Sequence, residues 1–229
     1  MTPSVEVPTP VVVLFDVDET LVHTGGSGAR SWTAAFDTLY GIAADIGEHS
    51  AAGETDPQVA RETFSAVLHR DPSDDELARL YARYLWHLAK DIGVSPDYRV
   101  LPGVEKALLL LQEAGVTLGL VSGAMEGAAR TKLIPANLNR FFVFGAYGSD
   151  SPDRAELTRI AIAKAARLHE RLNPEQVYVV GDTPRDMAAT AASGAISVGV
   201  ASGHYSVDEL ISAGGAHVLA SLEEGFPGL

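Results

Sequence analysis

Four short stretches of this 229-residue chain place carboxylates, a hydroxyl and a guanidinium where they could do chemistry together. The first is Asp16-Val17-Asp18-Glu19-Thr20, two carboxylates one residue apart that follow the apolar run Val11 to Phe15. Ser122-Gly123 follows Val116 to Val121, and Arg154 lies beyond Phe141 to Phe144 at the start of a helical pattern. Gly181-Asp182-Thr183-Pro184-Arg185-Asp186 follows Val177 to Val180. Two unpaired carboxylates at the end of a buried strand repel, so Asp16 and Asp18 are poorly explained as structure alone and call for a cation. With no cysteine in the chain, catalysis must rest on oxygen or nitrogen groups, and a Cys-based zinc site is excluded. Oxygen-only ligands suit magnesium.

The elements that must position these groups can be read from the same pattern. The apolar run Val11 to Phe15 reads as a strand buried on both faces, and similar runs at Val116 to Val121, Phe141 to Phe144, Val177 to Val180 and Ile196 to Val200 alternate with helical patterns. This spacing predicts an α/β chain with a parallel sheet. In such sheets ligands bind beyond the carboxyl ends of the strands, where all four stretches fall. About a hundred residues separate the first strand from the second, far more than a crossover helix needs, which predicts an inserted domain. Helical patterns at Ala29 to Tyr40, Pro57 to His69 and Asp74 to Lys90 make that insert all-helical. The expected division is a core of residues 1–23 and 100–229 with an insert of 24–99, hinged at Gly25 to Gly28 and Asp97 to Pro102.

Composition narrows the partners. A 46% hydrophobic content suffices for one sizeable core with a smaller attached unit. The formal net charge of -13 argues against general binding to nucleic acid or an anionic membrane, since those partners select basic patches. No apolar run is long enough to cross a bilayer, and Met1 to Pro10 lacks the features of a secretory leader, so a cytoplasmic protein is expected. No protein partner is implied.

Taken in order, these stretches resemble the haloacid dehalogenase superfamily, whose members mostly transfer phosphoryl groups. Its Asp-x-Asp-x-Thr motif is matched by Asp16, Asp18 and Thr20, its Ser/Thr motif by Ser122, its basic residue by Arg154, and its Gly-Asp-x-x-x-Asp motif by Gly181, Asp182 and Asp186. Each match alone is weak; together they span nearly the whole chain. The resemblance implies a doubly wound α/β core with a helical cap domain, a Mg2+ cofactor and hydrolysis of a small phosphorylated metabolite. Glu19 stands where many relatives carry glycine.

The residue types suit that chemistry. A carboxylate nucleophile divides a very slow phosphate-ester hydrolysis into two easier displacements, and Asp16 would become the aspartyl-phosphate. Two unit charges about 4 Å apart repel by about 4 kcal/mol at an effective dielectric near 20, so the site needs cations against the phosphate as well. Asp16, the backbone carbonyl of Asp18, Asp182 and Asp186 are the expected ligands of magnesium. Asp18 would protonate the leaving alkoxide and then deprotonate the attacking water. Because halide leaves without a proton, Asp18 counts against dehalogenation. Ser122 and the Gly123 N–H, at a helix N-terminus, would bind the nonbridging phosphate oxygens.

Other residues compete for roles. Lys164 is the alternative basic residue, but it lies ten residues beyond Arg154, about 15 Å along a helix, and reads as a stem over apolar surface with its ammonium in water. Gly53-Glu54-Thr55-Asp56 resembles the loop by which helical caps reach the substrate, making Thr55 a substrate-contact candidate, although an N-terminal capping turn reads equally well. His204 lies on the functional edge. Competing functions are a sugar-phosphate mutase on the same core, phosphonoacetaldehyde hydrolysis with Lys90 as the sole lysine available in the insert, and a non-enzymatic receiver-like phosphoacceptor. The receiver reading is disfavoured by the insert and by Asp18.

Overall fold

A computed structural model describes residues 11–49, 53–169 and 171–228. The leader reading of Met1 to Pro10 therefore lies outside the described residues. Six strands form one parallel sheet: β1 (Val12–Phe15), β4 (Thr117–Ser122), β5 (Phe144–Tyr147), β6 (Val177–Gly181), β7 (Ile196–Val200) and β8 (His217–Leu219), in the order β5-β4-β1-β6-β7-β8. A separate antiparallel pair joins β2 (Val22–Thr24) to β3 (Tyr98–Val100). The helices are α1 (Ser27–Tyr40), α2 (Asp56–Leu68), α3 (Asp74–Asp91), α4 (Val104–Glu113), α5 (Glu126–Lys132), α6 (Arg154–Ala166), α7 (Pro184–Ala191) and α8 (Val207–Ser212).

β1 is central because all four of its residues are apolar and none is exposed. Val13 and Phe15 face a cluster with α4, α5 and the insert, while Val12 and Leu14 face Leu157, Ala161 and Ala165 of α6. Alternate side chains of one strand thus fill cores on opposite faces, as a sheet covered by helices requires. Since β1 pairs with β4 on one side and β6 on the other, the order reverses at its end. That reversal opens a crevice beyond Phe15.

The three helices between β2 and β3 match the predicted positions within two residues. Their packing is anchored by Trp32 of α1 on Tyr84 of α3, with ring centroids 4.0 Å apart and planes 8° from parallel. Ser73 and Glu76 cap the start of α3 reciprocally. Gly25 and Gly26 take positive φ where the chain enters α1, and a Cβ on Gly25 would come within 2.7 Å of Ser95 Oγ. The entry and exit of the insert are thus in contact. The expected hinge at Asp97 to Pro102 is instead largely strand β3, because Tyr98 to Val100 find partners on β2.

Strands β2, β3 and β8 were not expected, and one expected strand is displaced. Leu138 to Phe141 form a 3-10 turn and β5 starts at Phe144. Phe141 and Phe142 are buried, and Phe142 packs edge-on against Phe15 at 6.1 Å. A short aromatic run is equally apolar in a core loop or in a strand.

Candidate active site

The chain leaves β1 with the Asp16 N–H still bonded to the Val180 carbonyl at 2.9 Å, which delivers the Asp16 carboxylate just beyond the sheet. It then turns tightly: Leu21 and Val22 N–H both donate to the Val17 carbonyl, and Glu19 adopts a positive φ of 54°. Glycine would enter that region without strain, whereas Glu19 holds it against its Cβ. β6 ends at Gly181 and delivers Asp182, while Thr183 and Asp186 cap each other at the start of α7. Asp186 Oδ2 accepts from the Thr183 N–H at 3.0 Å and its hydroxyl at 2.7 Å.

One oxygen from each of Asp16, Asp182 and Asp186 lies within 4.8 Å of the others, and all three residues are buried. Arg154, the first residue of α6, enters the same space with a side chain 11% exposed. Its Nη2 donates to Asp16 Oδ2 at 2.7 Å, and Nη2 and Nε both donate to Asp186 Oδ1 at 2.5 and 2.8 Å. Thr20 donates its hydroxyl to Asp182 Oδ1 at 3.2 Å. Three acids against one guanidinium leave net negative charge. Burial, with Asp186 and Asp18 adding repulsion against the attraction of Arg154, pushes Asp16 up to about 6. Burial and the charges of Asp186 and Asp16 push Asp182 up to about 8. Burial works against the charge of Arg154, yet Asp16 and Asp186 outweigh it and hold the guanidinium above its ordinary value. A compact, buried, all-oxygen set with excess negative charge fits a hard divalent cation.

Around this cluster lies a cavity of about 200 Å³ whose wall includes Asp18, Glu54, Ser122, Gly123, Thr183 and His204. Gly123 is confined to its type. A Cβ there would lie 2.8 Å from both Arg154 Nη1 and the Glu54 carbonyl. Gly203 is similarly confined, with a Cβ position 2.1 Å from Asp182 Oδ2. Ser122 and Gly123 do not sit on the first turn of a helix, since α5 begins only at Glu126. The insert reaches the site through its second loop: the Asp56 N–H donates to the Gly123 carbonyl at 2.8 Å, and Asp56 Oδ2 accepts from the Met125 N–H at 2.8 Å. On that loop Gly53 and Glu54 line the cavity, whereas the Thr55 hydroxyl is directed to Gln58 and the Pro152 carbonyl. Lys164 stays away from the cluster. Its ammonium, expected in water, donates instead to the Gly145 carbonyl at 2.7 Å and lies 3.4 Å from Asp150.

Sequence reasoning missed Lys132. Its side chain is 7% exposed and Nζ lies 2.6 Å from Asp18 Oδ2. Burial opposes its charge, but Asp18, Tyr84 and Asp56 hold the ammonium above its ordinary value. A signal existed: Met125, Ala128, Ala129 and Lys132 share one helical face, and the first three are buried. A larger cavity of about 620 Å³, lined by Leu110, Leu222 and Phe226 among others, lies between α4 and the C-terminal turn, away from these acids.

A carboxylate cluster at the switch point of a doubly wound parallel sheet, beside a helical insert, lies at the edge where sheets of this class bind their ligands. Residues 11–194 match the model of haloacid dehalogenase-like hydrolases. The chain is 33% identical over 235 residues to the phosphoglycolate phosphatase of Rhodospirillum rubrum, covering 95% of this chain and 92% of that one. A predicted phosphoglycolate phosphatase from Haemophilus somnus shares its fold with a TM-score of 0.74 at 17% identity, covering 94% and 96% of the two chains. A Bacteroides vulgatus structure assigned as a beta-phosphoglucomutase aligns with a TM-score of 0.69 at 19% identity, covering 95% and 86%. The chain belongs to the haloacid dehalogenase-like hydrolases and is a phosphatase of that family, a phosphoric monoester hydrolase. No helix among the described residues is long and apolar enough to cross a membrane.

Proposed function

We propose that this phosphatase hydrolyses a small phosphorylated metabolite in a cytoplasmic setting, with Mg2+, through an aspartyl-phosphate on Asp16. The observation that carries the reading is the buried set of Asp16, Asp182 and Asp186 around Arg154, opening into a cavity of about 200 Å³. So small a space suits a small substrate. Asp16, Asp182 and Asp186, with the backbone of Asp18, would hold the ion. When bound, magnesium supplies the positive charge that lets a carboxylate approach a phosphate.

The Asp16 carboxylate attacks phosphorus as the ester bond breaks, and Asp18 gives a proton to the departing alkoxide. Asp18 then takes a proton from the water that attacks the aspartyl-phosphate, releasing phosphate and restoring Asp16. Arg154 neutralises charge on Asp16 and Asp186, and Ser122 with the Gly123 N–H holds nonbridging oxygens. Residues 24–99 act as a cap on the core of 1–23 and 100–229. The pairing of β2 with β3 where the chain enters and leaves the insert supports those boundaries, and closure would exclude bulk water. The phosphoryl acceptor is what separates this reaction from that of a mutase, which returns the group to a sugar instead of to water. The full-length phosphatase relative supports water as that acceptor.

A panel of phosphorylated metabolites, phosphoglycolate and hexose phosphates included, assayed for phosphate with and without magnesium tests the proposal. Release that chelation abolishes and magnesium restores is expected. An isomerised sugar phosphate without phosphate release would contradict it.

A further inference from the structure

The reaction outlined above leaves a buried cation unused. Lys132, in the last turn of α5, keeps its ammonium within the protein and joins it to Asp18 across 114 residues of sequence. The other polar groups near it, Asp56 and Tyr84, come from the insert. Asp56 accepts from the Met125 N–H, and Tyr84 stacks on Trp32. Asp18 itself is 41% exposed and lines the cavity. A buried ammonium is costly to desolvate, and apolar residues commonly replace such pairs without loss of stability, so stability alone is a weak reason for a lysine here.

We propose that Lys132 is a positioning residue for Asp18, holding Oδ2 so that Oδ1 is presented to the leaving-group oxygen. This rests on the phosphatase reading with Asp18 as proton donor. A half-exposed aspartate held by nothing would sample several rotamers, and misplacing a reacting group by about 1 Å costs roughly 10²-fold in rate. With Oδ2 fixed, the proton passes from Oδ1 to the alkoxide as the phosphorus–oxygen ester bond breaks and the bond from Asp16 to phosphorus forms. In the second step, as water attacks phosphorus and the Asp16 bond breaks, Oδ1 takes a proton from the water. Lys132 keeps its protons throughout.

The leaving group separates this role from a purely structural one. An alkoxide needs the proton from Asp18, whereas 4-nitrophenolate departs without it. In Lys132→Met, kcat/KM for the best alkyl phosphate of the metabolite panel should fall about 10²-fold, and that for 4-nitrophenyl phosphate by less than about 5-fold. In an Asp18→Asn background, adding Lys132→Met should cost less than about 3-fold further, because residues acting as one unit are not additive. Should Lys132→Met fail to fold by thermal melting, Lys132→Arg carries the test: its forked head does not reproduce a point contact, so the alkyl-to-aryl ratio of kcat/KM should still fall at least about 5-fold. Equal losses on both esters, or an undiminished further loss in the Asp18→Asn background, would overturn the proposal. A wild-type enzyme that releases phosphate from neither ester would instead overturn the phosphatase reading itself.

Discussion

Two charged clusters lie side by side at the end of β1, and they solve the same problem in opposite ways. Around Asp16 three buried carboxylates face one guanidinium, so protein groups alone leave the cluster negative. Around Asp18 the pairing is one to one, Lys132 against Asp18, while the nearby Asp56 carboxylate accepts from the Met125 N–H. The first arrangement is incomplete without an added cation, which is what a site that binds a metal and a phosphate needs. The second is complete, as suits a group that must return to one geometry after every proton transfer. Excess charge therefore marks where something binds, and balanced charge marks where something is held.

Ways to break this contrast run from large effects to small. Asp16→Asn should lower phosphate release by about 10³-fold or more, measured at saturating magnesium. Residual activity near the wild-type level would remove Asp16 from the chemistry. Arg154→Met should destabilise the chelated protein by about 3–5 kcal/mol in urea unfolding, since it leaves Asp16 and Asp186 uncompensated, and magnesium should restore part of the loss. A full loss that magnesium does not reduce would mean the cluster holds no ion.

The next effect is one of pH. Burial pushes Asp56 up to about 6 from an ordinary 3.8, although Lys132 and the Met125 N–H pull the other way. A raised carboxyl pKa means that the folded state binds more protons than the unfolded one between those values, so stability falls as pH rises from about 4 to 6. This group should contribute on the order of 2–3 kcal/mol to that fall, and Asp56→Asn should flatten the slope of unfolding free energy over the same window. An unchanged slope would mean that Asp56 is not a buried carboxylate. Smallest is Lys164→Met: its side chain is 36% exposed and its Asp150 partner comparably so, so stability should change by less than about 1 kcal/mol. Catalysis should be untouched; a large loss of turnover would return Lys164 to the site in place of Arg154.

The two clusters also differ in how far the sequence discloses them. Asp16 and Asp182 stand directly beyond, and Ser122 at the last position of, strands whose apolar runs are visible, and parallel-sheet topology brings such positions to one edge. The doubly wound fold and the three helices of the insert were legible for the same reason, since periodicity marks elements. Lys132 was not, because 114 residues separate it from Asp18 and only tertiary packing joins them. The Leu138 to Phe141 turn was hidden by its own hydrophobicity. The Gly53 to Asp56 loop was legible as one that reaches the site, but Thr55 was read as the contact where Gly53 and Glu54 line the cavity, because which side chain of a turn points inward depends on the partner surface. Gly203 carried no local signal at all; its need for glycine comes from the Asp182 carboxylate 2.1 Å from where a Cβ would stand.

If Asp16 carries the phosphoryl group, the covalent intermediate can be trapped on it. The enzyme, mixed with magnesium and a substrate found in the metabolite panel, is quenched in acid within the first turnover, reduced with borohydride and mapped by peptide mass spectrometry. A phosphorylated aspartate is reduced to homoserine, so the account predicts homoserine at position 16 and intact aspartate at 18, 182 and 186. Intact Asp16 with homoserine at one of the other three positions would contradict it.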